Sequence, residues 1–271
     1  KSEEQLMIEV DGEIPMDDKS LIDAEQKHIF SHSFNPNRYR FEFSKDSSAI
    51  LVRHRMKRKK RKDSENKEEM GLYVFDNALE KVWGGAVEMP YFEPEMTLLD
   101  YGVDSKQNGY VFLQKSDRTL ELLQYNKGTL QKTVPLNGFT KYIYQSQILE
   151  KQDGSLVFTG FTSNKEKGND PSGLYFFKVD VDKEKPLSDL NTQSISSSLK
   201  NKCSSNDSEK AFLNLHLKDC FLQIDGSLIL IGEAAQSAYS SSSKIEENTH
   251  ILMAKLSADG AYKWITAIPK R

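Results

Sequence analysis

The chain has 271 residues, a formal net charge of −3, 28% charged residues and 37% hydrophobic residues. Its length suits one large domain or two small ones, and a β-propeller reaches this size as one unit. The charge balance excludes a global drive toward nucleic acid or anionic membrane. No apolar run approaches the about 18 residues of a membrane span. No signal peptide is visible, and a start at Lys1 reads as a mature or trimmed form.

Residues 1–37 are the least regular. Leu6 to Val10 reads as a strand ending at Asp11-Gly12, and Ile29 to Phe34 as another, stopped by Asn35-Pro36. This segment is expected to be a partial or closing blade. From residue 38 the chain repeats itself. In repeat 1 (38–92), Tyr39, Phe41 and Phe43 alternate with Arg40, Glu42 and Ser44, the period of a half-buried strand. Ala49–Val52, Gly71–Asp76 and Lys81–Val87 follow as strands. Repeat 2 (96–140) predicts strands at Leu98–Val103, Tyr110–Lys115, Leu120–Tyr125 and Gln131–Leu136, with Asn126-Lys127-Gly128 as a hairpin turn. Repeat 3 (144–210) predicts Ser146–Leu149, Ser155–Phe161 and Gly173–Asp180, then a polar insertion over 183–210 that hides its fourth strand. Repeat 4 (211–271) predicts Leu213–Gln223, Ser227–Glu233, His250–Leu256 and Tyr262–Ile268, with a serine-rich loop over Ser237–Ser243.

One phrase ties the repeats together. Asp153-Gly154-Ser155-Leu156 returns as Asp225-Gly226-Ser227-Leu228, with a weaker copy at Asn108-Gly109-Tyr110 and the faintest at Asp46-Ser47-Ser48. Strand-turn-strand repeats of this length predict an all-β fold. The expectation is a β-propeller, or propeller fragment, of four-stranded antiparallel blades. About four repeats are readable, besides the N-terminal partial one, and 1–271 form one domain. Trp83 and Trp264 hold equivalent positions, which predicts blade-to-blade packing for both.

The stretches Tyr73–Tyr91, Asp153–Asp180 and Ala254–Arg271 resemble uncharacterised, repeat-bearing exported proteins of the Bacteroidota. The resemblance spans about residues 38–271. It implies export to the cell envelope and a binding or scaffolding role, and it carries over no catalytic residues. Ser257-Ala258-Asp259-Gly260-Ala261-Tyr262-Lys263-Trp264 is similar to the sialidase-type Asp-box, with its glycine one position early. In that family the box is a structural hairpin remote from the active site.

The sharpest local anomaly is a basic run, with Arg53, Arg55, Lys57, Arg58, Lys59, Lys60, Arg61 and Lys62 among ten residues. Its functional reading is contact with phosphate, lipid headgroups or an acidic partner. The plainer reading is a solvated loop between strands, balanced by Asp63, Glu65, Glu68 and Glu69. No aromatic is interleaved, so base stacking is not expected. Asp100, Asp104, Glu150 and Asp219 lie near first strands, where a propeller glycosidase would place its carboxylates, though each also suits a turn or surface role. Asp180-Val181-Asp182-Lys183-Glu184 reads as a turn, lacking the glycine of a calcium loop. The five histidines do not cluster. Cys203 and Cys220 suit either a disulfide or two free thiols, and their spacing with His216 matches no zinc pattern.

The sequence therefore favours a non-enzymatic cell-envelope or secreted scaffold that binds a protein through loops 53–70, 183–210 and 234–249. It needs no cofactor and no metal. One alternative is a propeller that binds or hydrolyses glycans, which convergent carboxylates and arginines at the ring axis would favour. The other is an anion or nucleic-acid binder using 53–62.

Overall fold

The computed structural model describes residues 39–56, 67–166, 171–186, 191–196, 215–240 and 243–269. The expected strands of residues 1–37 lie outside these. Blade 1 is β1 (Tyr39–Phe43), β2 (Ala49–Arg55), β3 (Lys67–Asp76) and β4 (Lys81–Phe92). A single 3₁₀ turn, Glu93–Glu95, leads into blade 2: β5 (Met96–Val103), β6 (Gly109–Lys115), β7 (Leu120–Asn126) and β8 (Thr129–Leu136). Blade 3 is β9 (Tyr142–Glu150), β10 (Leu156–Ser163) and β11 (Gly173–Asp180), with β12 (Lys185–Pro186) and β13 (Asn191–Ser194) both paired to β11. Blade 4 is β14 (Leu215–Leu222), β15 (Leu228–Ser240), β16 (Ser243–Leu256) and β17 (Tyr262–Pro269). Every pairing is antiparallel, and all but that of β13 with β11 join strands consecutive in the chain.

The protein is an all-β, propeller-like array. The first strands touch in succession, β1 on β5, β5 on β9 and β9 on β14, so they form the inner edge. The last strand of a blade feeds the first strand of the next, as in a propeller. Blade 3 fills its fourth-strand position in two short pieces, which explains why no continuous apolar pattern marks it. Among the described residues, no helix is long and apolar enough to cross a membrane.

The recurring phrase is hairpin chemistry. The amides of Gln107, Gly154, Gly226 and Gly260 return to the carbonyls of Asp104, Lys151, Gln223 and Ser257 at 2.8–3.1 Å. These four residues have φ of +66°, +79°, +78° and +83°. This is the three-residue hairpin that ends on a left-handed residue, where glycine is cheapest. The Asp153 and Asp225 side chains accept the amides of Ser155 and Ser227, both at 2.9 Å, and so close the turn locally. In blade 2 the frame differs from the sequence reading. Gln107 takes the place of Gly154, and Gly109 stands opposite Val103 as Leu156 stands opposite Glu150. The weak copy is therefore displaced by two residues.

Cores lie between blades. Leu51, Leu72, Val74 and Trp83 of blade 1 pack with Tyr101, Val111 and Leu113 of blade 2. Between blades 2 and 3, the rings of Phe112 and Phe158 are 4.8 Å apart, and Phe158 stacks on Phe177 at 4.8 Å. Leu174 and Phe176 of blade 3 meet Leu228, Leu230 and Leu252 of blade 4. The serine-rich segment expected as a loop is a β-ribbon instead, paired from Ala235↔Asn248 to Ser240↔Ser243. A two-stranded ribbon satisfies its own backbone and needs no apolar face, so hydrophobic patterning cannot reveal it.

The two tryptophans occupy one position in different surroundings. Trp83 is 7% exposed, and its Nε1 donates to the Gln107 carbonyl in the first turn of blade 2 at 2.8 Å. Trp264 is 41% exposed. It sits on the equivalent face of blade 4, where no following blade lies among the described residues. Among the described residues the shared packing role expected for both is met by Trp83. Trp83→Ala is expected to cost about 3–5 kcal/mol, and Trp264→Ala less than half of that, in paired urea unfolding curves.

Gly260 carries a second constraint. A Cβ there would meet the Phe176 ring of blade 3 at 2.2 Å, whereas one at Gly154 meets nothing within 4 Å. Gly154→Ala should cost about 1 kcal/mol for its backbone alone, and Gly260→Ala clearly more, read as loss of Tm.

Candidate functional site at the blade axis

β1 shows why the site forms. Phe41 and Phe43 pair with Val52 and Ile50, on the face of blade 1 turned away from blade 2, and are 48% and 62% exposed. Arg40 and Glu42 pair with Arg53 and Leu51, on the face turned toward blade 2. The alternation correctly marks a strand, but its aromatic side is the more exposed one. Glu42 has no hydrogen-bond or ion-pair partner among the described residues. Burial raises its pKa to about 7, with Arg40 opposing.

Asp100 stands next to this group. A one-residue bulge at Leu99 re-aims β5. The Asp100 carboxylate then accepts the backbone amide of Ile148 on β9 at 2.7 Å. Burial, and then the Glu42 charge, push its pKa well up. The next blade repeats the device. Tyr144 is bulged, and the Gln145 side chain accepts the amide of Leu217 on β14 while its Nε2 faces His216 Nδ1 at 3.2 Å. Inner strands are sheet edges, and these side chains satisfy their open amides.

Glu150 ends β9 and pins the rim. Its carboxylate accepts the Ser105 amide at 3.1 Å, the Ser105 hydroxyl at 2.9 Å and the Lys45 amide at 3.3 Å. Three blades are joined at this one side chain. Beside it lies a cavity of about 250 Å³ that all four inner edges help to line. Glu42, Phe43 and Lys45 come from blade 1, Val103 from blade 2, Glu150 from blade 3 and Phe221 from blade 4. Phe221, like Phe43, keeps half its surface exposed. Cys220 also lines the cavity, and burial raises its thiol pKa far above the usual range. It is a free thiol, and Cys203 lies outside the described residues.

The residues singled out in the sequence separate. Arg53 and Arg55 belong to β2 and not to a loop. The Arg53 guanidinium packs over the Tyr101 ring at 4.5 Å and pairs with Glu68 at 3.8 Å, so it stabilises the blade 1–2 contact. Lys57, Arg58, Lys59, Lys60, Arg61 and Lys62 lie outside the described residues. Of the four expected carboxylates, only Glu150 lines the axial cavity. Asp100 is buried behind it, Asp104 closes its own turn, and Asp219 accepts the Cys220 amide at 2.8 Å. Asp180 to Glu184 is a turn, with Glu184 at φ +54°. Among the described residues, no group of three or more His, Cys, Asp or Glu could hold a metal. Glu42 and Lys45 carry no site signal in the sequence, because a lone charged residue on an alternating strand or in the turn after it looks like a solvated one.

No protein family matches the chain, and no curated protein matches it. Several solved structures are similar in fold. One is a protein of unknown function from Bacteroides caccae, with 11% identity over 86% of this chain and 69% of that one, at a TM-score of 0.42. Another is a Synechocystis apocarotenoid oxygenase, with 10% identity over 86% and 50%, at 0.45. A third is a GH43 β-1,3-galactosidase, with 12% identity over 86% and 46%, at 0.43. The chain spans about half the length of the latter two. At this identity and overlap the likenesses carry no chemistry across.

The Glu42 carboxyl makes stability depend on pH. Its pKa is raised from 4.5 to about 7, so the folded state holds the proton more tightly than the unfolded chain does. Stability should be greatest below the lower value and fall as pH rises through the higher one. Glu42→Gln should flatten that decline and make the protein more stable than wild type at pH 8, by on the order of 2–3 kcal/mol. Urea unfolding at pH 5 and pH 8 checks this.

Proposed function

We propose that this protein is a binding propeller of a bacterial cell envelope, taking a glycan at the axial cavity. The observation that carries the reading is the cavity itself, where a lysine and a carboxyl without a partner among the described residues lie with two exposed phenylalanines. A sugar ring offers hydroxyls to the first pair and an apolar C–H face to the second. Pockets that combine apolar walls with a few convergent polar groups are the usual form of small-molecule sites.

Binding fits this site better than hydrolysis does. Glycoside cleavage uses two carboxyl groups, one protonated and one free to act as base or nucleophile. Glu42 meets the first requirement. Glu150 does not meet the second, because Ser105 and Lys45 already occupy its oxygens. A protein-binding scaffold is the second reading. It is favoured by the uncovered face of blade 1, where Phe41 and Phe43 lie beside Ile50 and Val52.

A glycan panel assayed by calorimetry, with release of reducing ends followed in the same samples, tests these readings. Saturable binding without turnover is expected, weakened about tenfold or more by Phe221→Ala and by Glu42→Gln. Turnover would replace binding by catalysis. No glycan binding, together with a protein partner lost in Phe41→Glu, would move the assignment to the scaffold.

A further inference from the structure

Blade 1 turns one face away from blade 2, and no described strand of another blade packs on it. Its apolar residues gather with one another, Ile50 and Val52 of β2 with Tyr73 and Phe75 of β3, and Tyr39 and Leu79 border them. Neighbouring strands lie in the plane of their sheet, so a sheet face is closed only from above. Yet Ile50, Val52, Tyr73 and Phe75 are 9%, 3%, 5% and 3% exposed. Phe41 and Phe43, on the edge strand of the same face, are open. The margin of this face is bare and its centre is shut.

Blade 4 shows what a bare blade face looks like. Its face away from blade 3 carries Ile229 and Ile231 on β15 and Ile251 and Met253 on β16, the two middle strands. All four are only half-buried, and Trp264 and Ile268 beside them are exposed. The middle strands of blade 1 hold side chains of the same kind and are nearly sealed. An apolar cover therefore lies over blade 1 that is missing from blade 4.

The path of the chain identifies the cover. The last strand of a blade leads straight to the first strand of the next, from Phe92 to Met96 and from Leu136 to Tyr142. By the same rule the residues that lead into β1 arrive from the position of a preceding blade, which lies against this face. The chain has 38 residues before Tyr39, with apolar runs at Leu6–Val10 and Ile29–Phe34. Only Asn35-Pro36-Asn37-Arg38 separates the second run from β1. The other long stretches outside the described residues suit the place less well. In 57–66 eight of ten residues are charged and none is apolar, and 197–214 joins blade 3 to blade 4.

We infer that the segment before β1 folds back on blade 1 and covers the centre of its outward face with these two apolar runs. This placement is independent of the glycan reading. It gives the centre of the face to the chain itself and leaves Phe41 and Phe43, at the margin, for a partner.

Hydrogen exchange of the full chain, followed by mass spectrometry, tests the placement. Residues 6–10 and 29–34 are expected to exchange about tenfold or more slowly than free peptides of the same sequence, at every protein concentration. Ile8→Asp combined with Phe30→Asp puts charge into the buried contact. The pair should abolish that protection and speed exchange over β2 and over 70–76 of β3 about tenfold, leaving β10 unchanged. Phe30→Ala is the milder variant should the pair unfold the chain, and it should move the same peptides the same way by about threefold. Free-peptide rates over 6–10 and 29–34, or unchanged exchange over β2 and β3 in the variants, would overturn the inference. Faster exchange over 251–256 in place of blade 1 would put the segment on blade 4 and overturn it too. Protection that fades on dilution would put the segment on a second copy, against a placement within one chain.

Discussion

Strand β10 has no solvent side. Leu156, Val157, Phe158, Thr159, Phe161 and Thr162 are all buried, though their side chains alternate between the two faces of the sheet. A sheet apolar on both faces must be covered twice, and that requirement shapes the rest of the molecule. Phe158 goes to blade 2, where it meets Phe112, while Val157 and Phe161 go to blade 4. Burying one such ring contributes about 1.5–3 kcal/mol, so the contacts between sheets hold most of the stability. A lone four-stranded blade would leave that surface in water.

Covering each sheet with its neighbours brings the first strands side by side at the inner edge. Edges carry unpaired amides, and close neighbours leave no room for water to serve them all. The chain answers with side chains that cross between blades. Asp100 reaches Ile148, Gln145 reaches Leu217, and Glu150 gathers Ser105 and Lys45. The polar groups at the axis are therefore mostly structural. Glu42 stands out because it is the axial carboxyl without such a task among the described residues, and its affinity for a proton follows from being half-buried with nothing to hold.

The fold was legible because two local signals repeat. Alternating apolar residues announced the strands, and Asp-Gly-Ser announced the turns between them. The error of two residues at Asn108-Gly109 did little harm, since a shift by two keeps every side chain on its own face. Shifting by one would have inverted the blade. The site was less legible. Glu42 and Lys45 gain meaning only from Glu150 and Phe221, which lie more than a hundred residues away and meet them through packing. Of the basic run, Arg53 directs its charge at Glu68 and the Tyr101 ring, a contact that no local pattern announces.

The tryptophan contact has an evolutionary consequence. Trp83 binds the blade after it by burying its ring and donating to a main-chain carbonyl. A carbonyl is present whatever residue occupies the turn, but the ring also needs Gly109 of blade 2, where a Cβ would come within 3.0 Å of it. Trp264 holds the same ring and the same donor at the equivalent position of blade 4, where it is 41% exposed. The hydrogen bond of such a junction survives the duplication, loss or exchange of whole units, whereas its packed ring requires a matching small residue in each new neighbour. Families built on such joints can vary the number of their units more easily than the chemistry that joins them.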